Sequence, residues 1–150
     1  MSGYHIAQIN IARMRASIDN PLMADFVAQL APVNAIADQS PGFVWRLQSE
    51  SGDATSIQVY DDDMIIINLT VWETIEALRR YVYKSDHSNV LRDRKRWFAR
   101  FEGPYYALWW LPAGHIPTPE DGKLRLDHLR THGESAYAFS FKREFPAPVS

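Results

Sequence analysis

Among the residues able to do chemistry, His87 stands apart. It follows Ser85-Asp86, oxygen-bearing side chains suited to cap a helix, and Leu91, Arg94 and Phe98 follow it at spacings of four, three and four. A helical repeat sets these four on one face, and the apolar members turn His87 inward from the first turn. The partial positive charge of a helix N-terminus disfavours imidazolium, leaving the neutral ring that takes up a proton or ligates iron. The competing reading is a partly buried histidine bonded to backbone at the helix start, since no second histidine or carboxylate stands at a fixed spacing from it.

A second group is polar but uncharged. Gln8, Asn10 and Asn68, with Arg46, fall inside strand-like stretches whose neighbours are apolar. Such groups on a sheet face orient the oxygens of a ligand, or else are solvated. Strand alternation puts Asn68, Thr70 and Trp72 on one face and sets Trp45 out of phase with Arg46; whether Arg46 joins Asn68 is a matter of register. Five tryptophans, Trp45, Trp72, Trp97, Trp109 and Trp110, supply flat surfaces for an aromatic ligand, or the bulk of a core and a subunit interface. His115 sits in a loop beyond a strand end, where site residues collect. His128 and His132 are four apart, but no third ligand is signalled and no metal site is expected. The basic run from Arg92 to Arg96 is interrupted by Asp93 and reads as a solvated helix face.

Composition removes whole classes of function. With no cysteine, disulfides, thiolate nucleophiles and cysteine-held metals are excluded. Sixteen basic against eighteen acidic residues give a formal charge of −2, which offers no net attraction to nucleic acid or to anionic membranes. The longest apolar run, Tyr105 to Leu111, is far short of the roughly 20 residues of a spanning helix. The amino terminus lacks a basic segment followed by an apolar run, so a cytoplasmic protein is expected. No phosphate-binding glycine loop, nucleophile elbow or zincin motif occurs.

These residues need a scaffold, and the chain spells one out. Tyr4 to Ile11 alternates as a first strand. Asn20-Pro21 is a cap with proline at the first helical position, and Pro32 is expected to kink or shorten the helix that follows. Ser40-Pro41-Gly42 turns into a strand in which Phe43, Trp45 and Leu47 share a face. Glu50 to Ser56 reads as a loop, and Met64 to Trp72 as a central strand. A helix from Thr74 breaks near Ser85-Asp86, Tyr105 to Leu111 is the fourth strand, Thr118-Pro119-Glu120-Asp121 starts a last helix that Gly133 stops, and Tyr137 to Phe141 is a short final strand. The order βαββαβ with a C-terminal αβ extension is α+β and ferredoxin-like: helices on one face of an antiparallel sheet, one domain over residues 1–150. Aromatic residues on both faces of the fourth strand (Tyr105 and Trp109, Tyr106 and Trp110) predict a second buried face and hence a homodimer.

The segments Asn68-Leu-Thr-Val-Trp-Glu-Thr, Tyr83-Lys-Ser-Asp-His87, Trp97-Phe98, Trp109-Trp-Leu-Pro-Ala-Gly-His115-Ile-Pro-Thr118 and Ala138-Phe-Ser-Phe141 together resemble the domain-of-unknown-function family 3291 over nearly the whole chain. That family is similar to the dimeric α/β-barrel superfamily, which includes antibiotic-biosynthesis monooxygenases, heme-degrading monooxygenases and relatives of dye-decolorising peroxidases. The resemblance implies a dimeric α/β barrel, and a cofactor that is either absent or heme; in heme-degrading relatives a histidine on the helix after the third strand ligates iron, and His87 has a similar place. The function expected is a monooxygenase-like enzyme for an aromatic or polyketide-like small molecule. His87 would act on a proton or on iron, and Arg46, Asn68, Trp45, Trp72, Trp109 and His115 would hold the substrate. The alternative is a non-catalytic small-molecule-binding or sensing dimer.

Overall fold

The computed structural model describes residues 3–48, 60–62, 64–86, 94–99 and 102–148. At its centre is β1 (Tyr4–Met14), three residues longer than its alternation predicts. Antiparallel β3 (Ile65–Trp72) flanks it in a register running from Ile6 opposite Trp72 to Arg13 opposite Ile65. On the other side β5 (Tyr106–Pro112) pairs antiparallel from Tyr4 opposite Pro112 to Asn10 opposite Tyr106. The outer edge of β3 carries β2 (Phe43–Arg46), giving the order β2-β3-β1-β5 of a ferredoxin-like βαββαβ sheet. A two-residue strand that the sequence reading missed, β4 (Phe98–Ala99), pairs with Met14 and Arg13 on the β5 side of β1. Phe98 therefore lies in a strand and not on the helical stripe drawn from His87; the helical turn before it, α3 (Arg94–Trp97), ends one residue earlier.

Because opposite residues of an antiparallel pair project to the same side, the register sorts the sheet into two faces. The odd-numbered residues Ala7, Ile9, Ile11, Ile67, Leu69, Val71, Ala107, Trp109 and Leu111 form a continuous apolar core. The other face, here the even face, begins with Ile6, Gln8 and Asn10 of β1 and Asn68, Thr70 and Trp72 of β3.

Two helices belong to the even face. After Asn20, whose side chain accepts a hydrogen bond from Leu22 N–H, a 3₁₀ turn at Pro21–Met23 leads into α1 (Ala24–Gln39). Pro32 lies inside α1, and of the expected kink or shortening the shortening does not occur, since the helix runs on to Gln39. Met23 of the 3₁₀ turn and Phe26 of α1 close on Met14 and Trp97 at one end of the even face. α2 (Ile75–Asp86) lays Ile75 and Leu78 on Ile6 and Trp72 at the other end.

The last helix, α4 (Pro119–His132), starts at a full capping box in which Thr118 and Asp121 bond each other's backbone, and Gly133 stops it at φ 81°. Leu126 and Leu129 of α4 bury themselves on the odd face, and Gly122 lets the helix approach so closely that a Cβ there would come within 2.7 Å of Ile9 Cδ1. Helices thus lie on both sides of the sheet, not on one. Trp109 is 2% exposed because α4 covers it, so its burial does not by itself call for a second subunit. The expected final strand reduces to a bridge of Phe139 to Leu108, with N···O distances of 2.7 and 2.9 Å, followed by a turn from Ser140 to Arg143. The loop at Glu50 to Ser56 lies outside the described residues. No helix among the described residues is long and apolar enough to cross a membrane.

Tyr60 packs on the odd face with its hydroxyl buried and unpartnered among the described residues, and the Lys123 ammonium 5.2 Å from its ring centre. Burial first, and Asp127 second, push its pKa up to about 12, against a smaller opposite pull from Arg130. The unfolded phenol ionises near 10. The folded state therefore keeps a proton that the unfolded state gives up, so this stability is whole below pH 10 and is lost as pH rises through 12. Tyr60→Phe removes an unsatisfied hydroxyl and this alkaline loss together. Thermal unfolding at pH 8 and pH 11 is expected to show a smaller drop in Tm for the variant than for wild type; an equal drop would assign the alkaline sensitivity elsewhere.

Candidate active site

Between the two apolar clusters of the even face the sheet is polar. Asn10 and Asn68 are Cα partners in mid-sheet, and Gln8 and Thr70 form the next rung. Gln8 is 6% exposed and Thr70 2%, whereas Asn10 and Asn68 stay half-buried, so the patch has a closed base and an accessible upper edge.

Its hydrogen bonds run in one direction. Asn10 Nδ2 donates to Gln8 Oε1 at 2.7 Å and to Asn68 Oδ1 at 3.4 Å. Gln8 Nε2 donates to Asn68 Oδ1 at 3.3 Å and to Thr70 Oγ1 at 3.5 Å, and Trp72 Nε1 donates to Thr70 Oγ1 at 2.9 Å. Both protons of the Asn10 and Gln8 amides are spent within the cluster, and Asn68 Oδ1 receives two of them. The groups left over are the Asn68 Nδ2 amide and the Asn10 Oδ1 carbonyl, neither with a hydrogen-bond partner among the described residues. The face thus offers an uncharged N–H donor, held by its own carbonyl, beside an acceptor.

The other residues singled out in the sequence fall in several places. Trp72 belongs to the ladder through Thr70, but it is 0% exposed, stacked on Tyr81 with ring centres 4.9 Å apart and met edge-on by Phe43. It walls the patch and presents no open ring to a ligand. Arg46 is opposite Thr70, on the even face, so register does join it to the Asn68 side. Its guanidinium is engaged, however, with Nε bonded to Asp38 Oδ1 of α1 at 2.8 Å. A bulge between Phe43 and Trp45 breaks the expected alternation: Phe43 joins Trp72 on the even face and Trp45 turns with Val71 to the odd face. Trp45 and Trp109 are therefore on the opposite side of the sheet from Asn68. His115 is exposed in the turn after β5, beyond the row in which Tyr4 meets Pro112, and is not joined to the ladder. His128 and His132 lie with ring centres 4.6 Å apart and tilted on α4 across the sheet, and no group of three or more metal-ligating side chains occurs among the described residues. His87 lies outside the described residues. Sequence reasoning named Gln8 and Asn10 as strand polars without making them site residues; the available signal was that the two share one phase of their own strand.

A shallow cleft of about 420 Å³ lies at the start of α2, where Glu73, Glu76 and Glu144 meet Trp110 and Phe145. It touches none of the ladder residues, and its carboxylates repel the anionic oxygen that an amide donor favours.

Several solved structures are similar in outline. SnoaB, a cofactor-independent oxygenase from Streptomyces nogalater, has 15% sequence identity over 75% of this chain and 95% of its own, with a TM-score of 0.48. PA3566 from Pseudomonas aeruginosa has 12% identity over 77% of this chain and 98% of its own, with a TM-score of 0.49. A candidate antibiotic biosynthesis monooxygenase from Chloroflexus aurantiacus has 16% identity over 75% of this chain and 97% of its own, with a TM-score of 0.44. No curated protein matches the chain in sequence. The family suggested by the Asn68–Thr74 and Trp109–Thr118 segments does match, across residues 5–150, and the chain belongs to the family of the domain of unknown function DUF3291.

Proposed function

We propose that the protein is a monooxygenase-like enzyme that binds the oxyanion of an electron-rich aromatic small molecule at Asn68. The observation that carries this reading is the Asn68 Nδ2 amide, unspent in a ladder that uses every other amide proton and half-buried between two apolar clusters. In such a setting a donor aimed at a developing negative oxygen is worth far more than in water, and it costs no reorganisation. Loss of a proton from an anthrone-type methylene gives an enolate whose oxygen would sit at Asn68 Nδ2. The enolate reduces O₂, the peroxide formed at carbon loses water, and the balance is CH₂ plus O₂ to C=O plus H₂O. His87 is the candidate base, and a homodimer the candidate assembly.

The ladder's amides, hydroxyl and indole do not suit iron, which takes imidazole, thiolate or phenolate, so no step here runs through heme. The test is oxygen uptake with 1,8-dihydroxyanthrone. Saturable uptake above the spontaneous rate, one O₂ per anthrone and with the anthraquinone as product, supports the enzyme. Saturable binding with the anthrone recovered at its spontaneous rate of oxidation would replace it with a binding or sensing protein.

A further inference from the structure

Gln8 is the most buried amide of the ladder and touches both asparagines. Its Oε1 receives Asn10 Nδ2 at 2.7 Å while its Nε2 reaches Asn68 Oδ1 at 3.3 Å. Turned over by itself, Gln8 would set its Nε2 against the Asn10 Nδ2 donor and its Oε1 against the Asn68 Oδ1 acceptor, so both contacts would become repulsive. Pairing survives only if all three amides reverse together, since the Thr70 hydroxyl can accept or donate. Asn10 and Asn68 are thereby coupled through a residue that has no open surface of its own.

We propose that Gln8 is the positioning residue of this site: it locks the two asparagines in opposite senses, so that Asn68 presents its N–H and Asn10 its carbonyl to one ligand. The role rests on the oxyanion reading of Asn68, and it predicts a ligand that carries an acceptor oxygen with a hydroxyl beside it. A residue that only filled space there would be replaceable by any side chain of its size.

The experiment follows the side-chain amide protons by ¹⁵N–¹H spectra in wild type, Gln8→Leu and Gln8→Glu. In wild type the Asn10 and Gln8 amide protons are expected to exchange slowly and those of Asn68 fast. Gln8→Leu removes both partners, and Asn10 exchange is expected to quicken at least about tenfold, as for a lost buried hydrogen bond. With 1,8-dihydroxyanthrone its kcat is expected to fall at least about tenfold with KM changed less than about threefold, the pattern of a lost transition-state interaction.

Gln8→Glu keeps the size. Burial raises the pKa of the introduced carboxyl, and its protonated form donates to Asn68 as the amide did. The charged or titratable groups of the described residues near it on this face include Arg46, already paired with Asp38, Tyr106, whose hydroxyl accepts from Phe141 N–H, and Tyr81 of α2, stacked on Trp72. The introduced carboxyl accepts from Asn10 Nδ2 in either state but donates to Asn68 Oδ1 only when protonated, so the Asn68 side-chain amide signals of this variant are expected to shift as that carboxyl titrates, where those of wild type do not. Asn10 exchange unchanged in Gln8→Leu, or Asn68 side-chain signals in Gln8→Glu that respond to pH no more than those of wild type, overturns the coupling. Wild type that shows the expected exchange pattern but no anthrone turnover refutes the oxygenase reading and leaves the coupling standing.

Discussion

Asn68→Asp is expected to lower kcat for 1,8-dihydroxyanthrone by about 100-fold or more while leaving the fold in place, the scale of losing one oxyanion donor. The substitution is isosteric. An aspartate oxygen at the Oδ1 position still accepts from Gln8 Nε2 and Asn10 Nδ2, so the two bonds that hold the side chain persist. Only the outward N–H₂ is exchanged for an oxygen, which repels the anion it should bind. Asn68→Ala would confound this by taking an acceptor from both Gln8 Nε2 and Asn10 Nδ2, at about 1–3 kcal/mol. The measurement is initial-rate oxygen uptake beside thermal unfolding of the same preparation. A Tm near that of wild type with kcat reduced localises the effect to the donor. Turnover within about twofold of wild type would remove Asn68 from the chemistry, because so small a change is below the value of any charge-assisted hydrogen bond.

The frame was legible because its signals are local and periodic. The alternation of β1, the Asn20-Pro21 start and the Thr118-to-Asp121 capping box each follow from backbone chemistry within a few residues. What failed was non-local. The bulge that turns Trp45 away from Phe43 depends on how β2 docks against β3, and no period-2 reading contains it. Pro32 was expected to kink or shorten its helix, yet a helix held by Met23 and Phe26 at one end and by the Arg46–Asp38 pair at the other runs on past it to Gln39. A second subunit was expected to cover one face of the β5 aromatics, and nothing local shows that α4 folds back over Trp109; Gly122 over Ile9 is the trace of that approach.

The site shows the same division. Alternation put Asn68, Thr70 and Trp72 on one face, and alternation put Gln8 and Asn10 together on one face of β1. Joining the two pairs required the register in which Asn10 meets Asn68. The direction of the hydrogen bonds, which decides that Asn68 offers N–H, depends on distances of a few tenths of an ångström and is beyond any sequence pattern. His87 drew attention by its helical position, whereas the ladder contains no ionisable group. Residue types that titrate are easy to notice in a sequence; uncharged amides become visible as a site only when they converge.

Trp72→Ala is expected to be the most damaging single substitution in the described core, at about 3–5 kcal/mol, the range for truncating a large buried aromatic. Trp72 is 0% exposed, stacked on Tyr81 and packed with Ile6, Ile75 and Leu78, so it ties β3 to α2. The void left behind lies between a sheet and a helix that are both fixed elsewhere, which limits its collapse. Trp72→Phe separates this packing from the indole N–H: it keeps most of the apolar volume but leaves Thr70 Oγ1 without the 2.9 Å donor, a loss of about 1 kcal/mol. Chemical denaturation of the three proteins distinguishes these contributions, with the phenylalanine variant expected close to wild type and the alanine variant far below it. If the phenylalanine variant were as unstable as the alanine variant, the hydrogen bond to Thr70 would outweigh the packing, and the ladder would be a structural keystone of the even face as well as its binding surface. If instead the alanine variant lost less than about 1 kcal/mol, the helix must close over the gap, and the wall of the site would be adaptable.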